Sequence, residues 1–240
     1  MSVFQIDPAK MAAVRLAVAT PVRGADDYCA QVTVGYHKSV RALERLMTVE
    51  CIPLEITYGL DCVRARNRIA ATILRDYPAI THTIWWDDDQ WPDDPRLVQV
   101  LLQTGEDLIG AAYTRKREPV KWVHQHLMAD FPVTDYLMPV AGLGFGFTLT
   151  STRCLRTMSD AATRYTDYPL PHKVANIFGM DYVRIGSSDD PDDVALHSED
   201  FSFCERWRRL GGRAMLFAGG LVEHAGTKRY SAKDIPGGVA

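Results

Sequence analysis

The 240-residue sequence lacks any segment approaching about 18 uninterrupted apolar residues, and no apolar run follows a basic start at its N-terminus. Its reading is therefore a cytoplasmic chain with neither an export signal nor a membrane span. Cysteine pairing is also missing. The five cysteines, Cys29, Cys51, Cys62, Cys154 and Cys204, are odd in number and scattered, with no CxxC and no Cys/His pair at zinc-finger spacing. That pattern speaks against both a disulfide framework and a thiolate metal site. Nor is there an excess of basic charge. Lys+Arg number 27 against 30 Asp+Glu, a net charge of −3, so no basic field exists to hold a nucleic-acid backbone. With 17 Gly and 13 Pro there is no low-complexity bias, and 47% hydrophobic residues suffice for a substantial core.

What is present is an alternation of strand and helix signals. Val14–Thr20 is a short Val/Ala run stopped by Pro21, as in a buried parallel strand. Helical spacing over about 26–48 is followed by extended character over 52–58. Asp61 then caps a predicted helix to Tyr77, ended by Pro78. Residues 80–86, ITHTIWW, form a β-branched and aromatic strand; Asp94-Pro95 opens a helix closed by Gly105, and 108–113 returns to strand. The second half is less regular. It offers one glycine-studded strand at 140–150, a polar stretch over 163–197, a helix at 199–210 and a strand at 213–217. These signals predict an α/β fold, a doubly wound sheet with helices on both faces, in a single domain spanning 1–240.

The chemistry gathers at few places. Asp87, Asp88 and Asp89 follow a hydrophobic strand directly, at the carboxyl edge where open α/β sheets bind ligands. In an extended chain Asp87 and Asp89 would share a face about 7 Å apart, repelling by about 2–3 kcal/mol at an effective dielectric of 20; a hard divalent cation reverses that sign. DDDQWPDD reads either as a solvated turn or as a Mn²⁺ or Mg²⁺ site, and the Ile and two Trp just before Asp87 favour the second for Asp87 and Asp89. His224, in LVEHAGTKRY, is commonplace alone, but an imidazole can complete a carboxylate-held ion, and Lys228 and Arg229 beside it suit a diphosphate. Glu199 and Asp200 open a helix after Ser198, as capping acids or as a catalytic base. Arg64 and Arg68 stand at i, i+4, where like charges repel unless an anion lies between them. Gly142, Gly144 and Gly146 miss the dinucleotide pattern GxGxxG but leave one strand face bare for a ligand or another backbone.

Taken in order, AVATPVRG, RARNRIA, IWWDDDQWPDD, DLIGAAYTRKREP, AGLGFGFTLTSTRCL, SEDFSFCERWRRLGG and LVEHAG resemble the GT-A glycosyltransferases, especially small family 2-like bacterial and phage enzymes. The resemblance implies a nucleotide-binding half over about 14–115 and an acceptor half over about 116–240. It implies Asp87, Asp89 and His224 as ligands of Mn²⁺ or Mg²⁺, and Asp200 as base beside Glu199. Pro21, Arg66, Asn67, Asp88, Lys228 and Arg229 would line the nucleotide site; Gly144 and Trp122 would border the sugar pocket. The partners implied are a nucleotide sugar and an acceptor hydroxyl. The processive-synthase motif QxxRW is missing, although Arg206-Trp207 is present. Competing readings are a nucleotidyltransferase, an aspartyl phosphatase or a nucleotide-sugar or glycan-binding module; the phosphatase needs a threonine-like residue where Gln90-Trp91 stands.

Overall fold

The computed structural model describes residues 5–21, 30–52, 61–126, 136–184, 194–225 and 229–230. In chain order the elements are α1 (Pro8–Ala12), β1 (Leu16–Ala19), α2 (Ala30–Leu46), β2 (Val49–Ile52), α3 (Cys62–Asp76), β3 (His82–Trp86), β4 (Gln90–Pro92), α4 (Leu97–Gln103), β5 (Leu108–Ala111), β6 (His124–His126) and β7 (Leu137–Leu143). There follow β8 (Phe147–Ser151), α5 (Thr152–Ala161), β9 (Arg164–Thr166), β10 (Lys173–Ala175), β11 (Tyr182–Arg184), β12 (Val194–Leu196), α6 (Glu199–Arg209), β13 (Ala214–Phe217), β14 (Val222–Ala225) and β15 (Arg229–Tyr230).

Local chemistry starts these elements. The Asp61 carboxylate accepts from Arg64 N at 2.8 Å and so caps α3 as its sequence predicts. Ser151 does the same for α5, its hydroxyl accepting from Cys154 N at 3.0 Å. Gly105 takes the left-handed φ of +74° just after α4, where a side chain would be strained.

Eight strands form one mixed sheet in the order β2-β1-β3-β8-β5-β13-β7-β6. β1 runs parallel to β2 and β3, and β5 parallel to β13; β8 lies antiparallel between β3 and β5. Strands of the second half thus sit among those of the first. Alternation in β1 and β3 sends Ala17, Ala19 and Trp85 to one face and Leu16, Val18, Ile84 and Trp86 to the other. α3, α5 and α6 cover the first face, and α2 and α4 the second. Trp85 and Trp86 are fully buried, each a gross gain of about 4–6 kcal/mol from area alone. Their indole N–H groups donate to Thr150 Oγ1 (3.0 Å) and the Gln90 carbonyl (2.7 Å).

The structure differs from the sequence expectations at several places. The second strand is Val49–Ile52, and 53–60 lie outside the described residues. The single strand expected over 140–150 is two, β7 and β8, which are not neighbours in the sheet. The break at Gly144–Gly146 has a packing reason. A Cβ on Gly146 would lie 1.9 Å from Gln90 Nε2, and one on Gly144 would lie 2.2 Å from the Tyr113 hydroxyl. α5 has no counterpart in the sequence reading, and β14 pairs with β4 in a separate three-stranded sheet.

Candidate functional site

The carboxyl end of β3 leads into a turn closed by Gln90 N donating to the Asp87 carbonyl at 3.1 Å. Asp87 N is anchored on the Gly146 carbonyl at 2.9 Å. Because 87–89 turn rather than extend, the pairing expected of Asp87 and Asp89 on one face is replaced by two separate engagements. Asp87 Oδ1 accepts from Arg66 at 3.2 Å. Asp89 turns the other way, toward His224 and Lys116.

Arg66 is buried, 3% exposed, and bridges two carboxylates: besides Asp87 it donates to Glu199 Oε1 at 2.8 Å. The rings of Phe145 and Phe178 lie 5.8 and 6.0 Å from its guanidinium carbon, a cation–π setting. It therefore ties the end of β3 to the start of α6, beneath the carboxylates. Asn67 is likewise internal: its amide donates to Asn176 Oδ1 (3.1 Å) and accepts from Phe178 N (2.9 Å).

At the start of α6, Ser198 stands at the cap position but donates to Asp200 Oδ1 instead of capping the helix with its side chain. Phe201 N donates to the same oxygen at 2.8 Å. Burial, opposed by the Ser198 hydrogen bond, holds the Asp200 carboxyl above the usual carboxylate range.

β14 brings His224 opposite Gln90 across the ladder, and Ala225 N donates to the Asp89 carbonyl at 2.8 Å. The imidazole Nδ1 lies 2.6 Å from the Thr114 carbonyl, which can only accept, so Nδ1 carries the proton and Nε2 presents a lone pair. Burial brings the His224 pKa down to about 4, leaving the ring neutral near pH 7. Nε2 faces Asp89 Oδ1 at 3.5 Å, and that buried oxygen has no hydrogen-bond partner. Two acceptors thus point at each other, an arrangement a cation relieves. Lys116 already sits on Asp89 Oδ2, supplying positive charge from the Thr114–Trp122 bridge. Sequence reasoning passed over Lys116, although the run Arg115-Lys116-Arg117 after β5 was its signal.

The remaining residues fall into place around this centre. Asp88 is half-buried within the turn, and Pro21 is half-buried beyond β1. Trp122 lies on the Lys116 bridge, its ring 6.2 Å from that of His124. The space beside Gly144 is filled by Tyr113 and Val123, so a Cβ there would meet the side chains of this chain. Tyr113 itself accepts from Gly146 N at 3.0 Å, its ring against that of His224. Arg229 falls in β15 opposite Ala225, and Lys228 lies outside the described residues. Arg206, beside Trp207, is held by both Asp181 oxygens at 2.7 and 2.6 Å. Among the described residues no three His, Cys, Asp or Glu side chains group closely enough to hold a metal by themselves; Asp89 and His224 form a pair. No helix among them is long and apolar enough to cross a membrane.

No family model matches the chain, and no curated protein does. Among solved structures, the chain is similar to the crystal structure of A197 from STIV at 14% identity and a TM-score of 0.52, over 91% of this chain and 89% of that one. A glycosyltransferase involved in the glycosylation of the major capsid of PBCV-1 aligns over 60% of this chain and 62% of its own, at 12% identity and a TM-score of 0.33. At these identities the likeness to A197 speaks for the fold alone, and the lower TM-score of the second alignment supports no statement about this chain.

Proposed function

We propose that the protein is a metal-dependent glycosyltransferase that moves a sugar from a nucleotide sugar to an acceptor hydroxyl. The observation that carries the reading is the facing pair of Asp89 Oδ1 and His224 Nε2, 3.5 Å apart at the end of the central strand, with the Glu199-Asp200 helix start tied to the same strand end through Arg66.

In this reading Asp89 and His224 would hold Mn²⁺ or Mg²⁺, and the fit rests on an unpartnered carboxylate oxygen and an outward lone pair. When bound, the ion would supply charge stabilisation to a departing nucleoside diphosphate. Lys116 is released from Asp89 to pair with diphosphate oxygens, joined by Lys228 and Arg229. Asp87 stays fixed by Arg66 and orients the turn, while Asp88 and Pro21 line the donor side. Asp200, its carboxyl raised by burial, takes the proton from the acceptor hydroxyl, with Glu199 beside it. Trp122 offers an aromatic wall for a sugar.

Calorimetry with UDP and GDP, each with and without Mn²⁺, tests the site. Affinity should require the metal and fall at least ~10-fold in Asp89→Ala or His224→Ala. Unchanged metal-dependent affinity in both variants would remove the metal-site assignment. Binding of nucleotide sugars that never releases nucleoside diphosphate, whatever acceptor is offered, would favour a binding module.

A further inference from the structure

Further along α3 from Arg66, a groove of about 370 Å³ opens between α3, α5 and the β9–β10 hairpin. Its floor is apolar, with Ala70, Ala71 and Leu74 from α3 and Ile177 opposite. Its rim is cationic. Arg75, Arg156, Arg164, His172 and Lys173 line it against one carboxylate, Asp160, in a chain whose net charge is −3.

The pairing of these charges shows where positive charge is left over. Arg75 is neutralised by both Asp76 oxygens, at 2.7 and 2.6 Å, and its remaining arm abuts the His172 ring at 2.6 Å. Among the described residues the Arg164 guanidinium meets only the Ser159 hydroxyl, at 3.3 Å. Among the described residues the side chains of Arg156 and Lys173 have no hydrogen bond or ion pair, whereas most of the other described arginines do. Against Asp160 the groove therefore holds three uncommitted cations from three separate elements. Guanidinium forks match oxoanions in geometry as well as charge, and the apolar floor beneath them suits a flat hydrocarbon body attached to the anion.

We propose that this groove binds a small phosphomonoester, its phosphate between Arg156, Arg164 and Lys173 and its apolar part on Leu74 and Ile177. The ligand class is set by that combination: inorganic phosphate would use the rim alone, an organic phosphate the rim and the floor.

The test is calorimetry of the full chain at low salt in EDTA, with phenyl phosphate and inorganic phosphate as probes. Phenyl phosphate should bind one to one and at least about threefold more tightly than inorganic phosphate. The double variant Arg156→Gln/Lys173→Gln should lose about tenfold in affinity for both probes, with an unchanged melting temperature. Asp89→Asn should leave binding intact, separating the groove from the carboxylate site. Absence of saturable binding, equal affinity for the two probes, an unaffected double variant, or loss of binding in Asp89→Asn would each overturn the assignment.

Discussion

Helix α3 carries two ionic clusters on its alternating arginines, and they are built with opposite signs. Arg64 and Arg68 together grip one carboxylate, Asp167, which is 2% exposed. Arg66 alone grips two, Asp87 and Glu199. In the first cluster the cations outnumber the anion, and both arginines reach solvent, Arg64 at 40% exposure. Its effect is to fasten the segment after β9 to the helix, the one carboxylate being shared by both arginines. In the second the single cation is buried and the carboxylates outnumber it, with Asp200 next to Glu199. Two arginines sharing one buried carboxylate fasten two segments together. An acid-rich cluster at a strand end leaves negative charge that calls for a cation, and that asymmetry separates a fastening from a site.

The contrast can be broken experimentally, most forcefully at Arg66. Arg66→Met strands two partly buried carboxylates, so urea unfolding should show a loss of about 3–5 kcal/mol. A loss below about 1 kcal/mol would mean that the carboxylates do not depend on it. Asp200→Asn should keep nucleotide binding and lower transfer by about 10², near 2.7 kcal/mol in the barrier. Because the folded Asp200 carboxyl titrates above its ordinary value and a base must be ionised, the acid limb of wild-type turnover should lie above the ordinary aspartate range. An acid limb at or below the ordinary aspartate range would reassign Asp200 to helix capping.

At the fastening cluster the expected changes are smaller. Asp167→Asn should lower stability by about 1–3 kcal/mol at pH 7, since both arginines can turn to water. The Arg68 hydrogen bond, then that of Arg64, holds the Asp167 carboxyl below its usual range. A depressed folded pKa gives stability that is present above the unfolded pKa near 4 and lost as pH falls through the folded one. The gap between wild type and variant should therefore close below pH 4 in pH-dependent denaturation. Arg64→Gln, which leaves Arg68 in place, should change stability by less than about 1 kcal/mol.

The cluster around Asp167 also marks how far the sequence could be read. The spacing of Arg64 and Arg68 called for an anion between them, but nothing in the chain pointed to a carboxylate 99 residues beyond Arg68. Asp61 as a cap and Asp87–Asp89 leaving a buried strand were legible, because capping and hydrophobic runs are local. α5 is not legible in the sequence even though Ser151 caps it and Cys154, Leu155 and Met158 share its buried side. Its first residues continue a strand pattern, and the switch of period falls on a single residue. The glycines of 142–146 were legible as places of close approach, but not for what approaches: Phe201 at Gly142, Tyr113 at Gly144 and Gln90 at Gly146.

By itself the sequence determined which segments alternate between strand and helix and which carboxylates leave the core at a strand end, because periodicity and capping act over a few residues. Only the tertiary structure decided the partners. That Asp89 faces His224 depends on β14 pairing with β4 across more than 130 residues, and that Asp87 faces Arg66 depends on a turn of the chain where extension was expected. Electrostatic pairing is set by distance in space, which burial of apolar faces fixes, and no spacing along the chain encodes it.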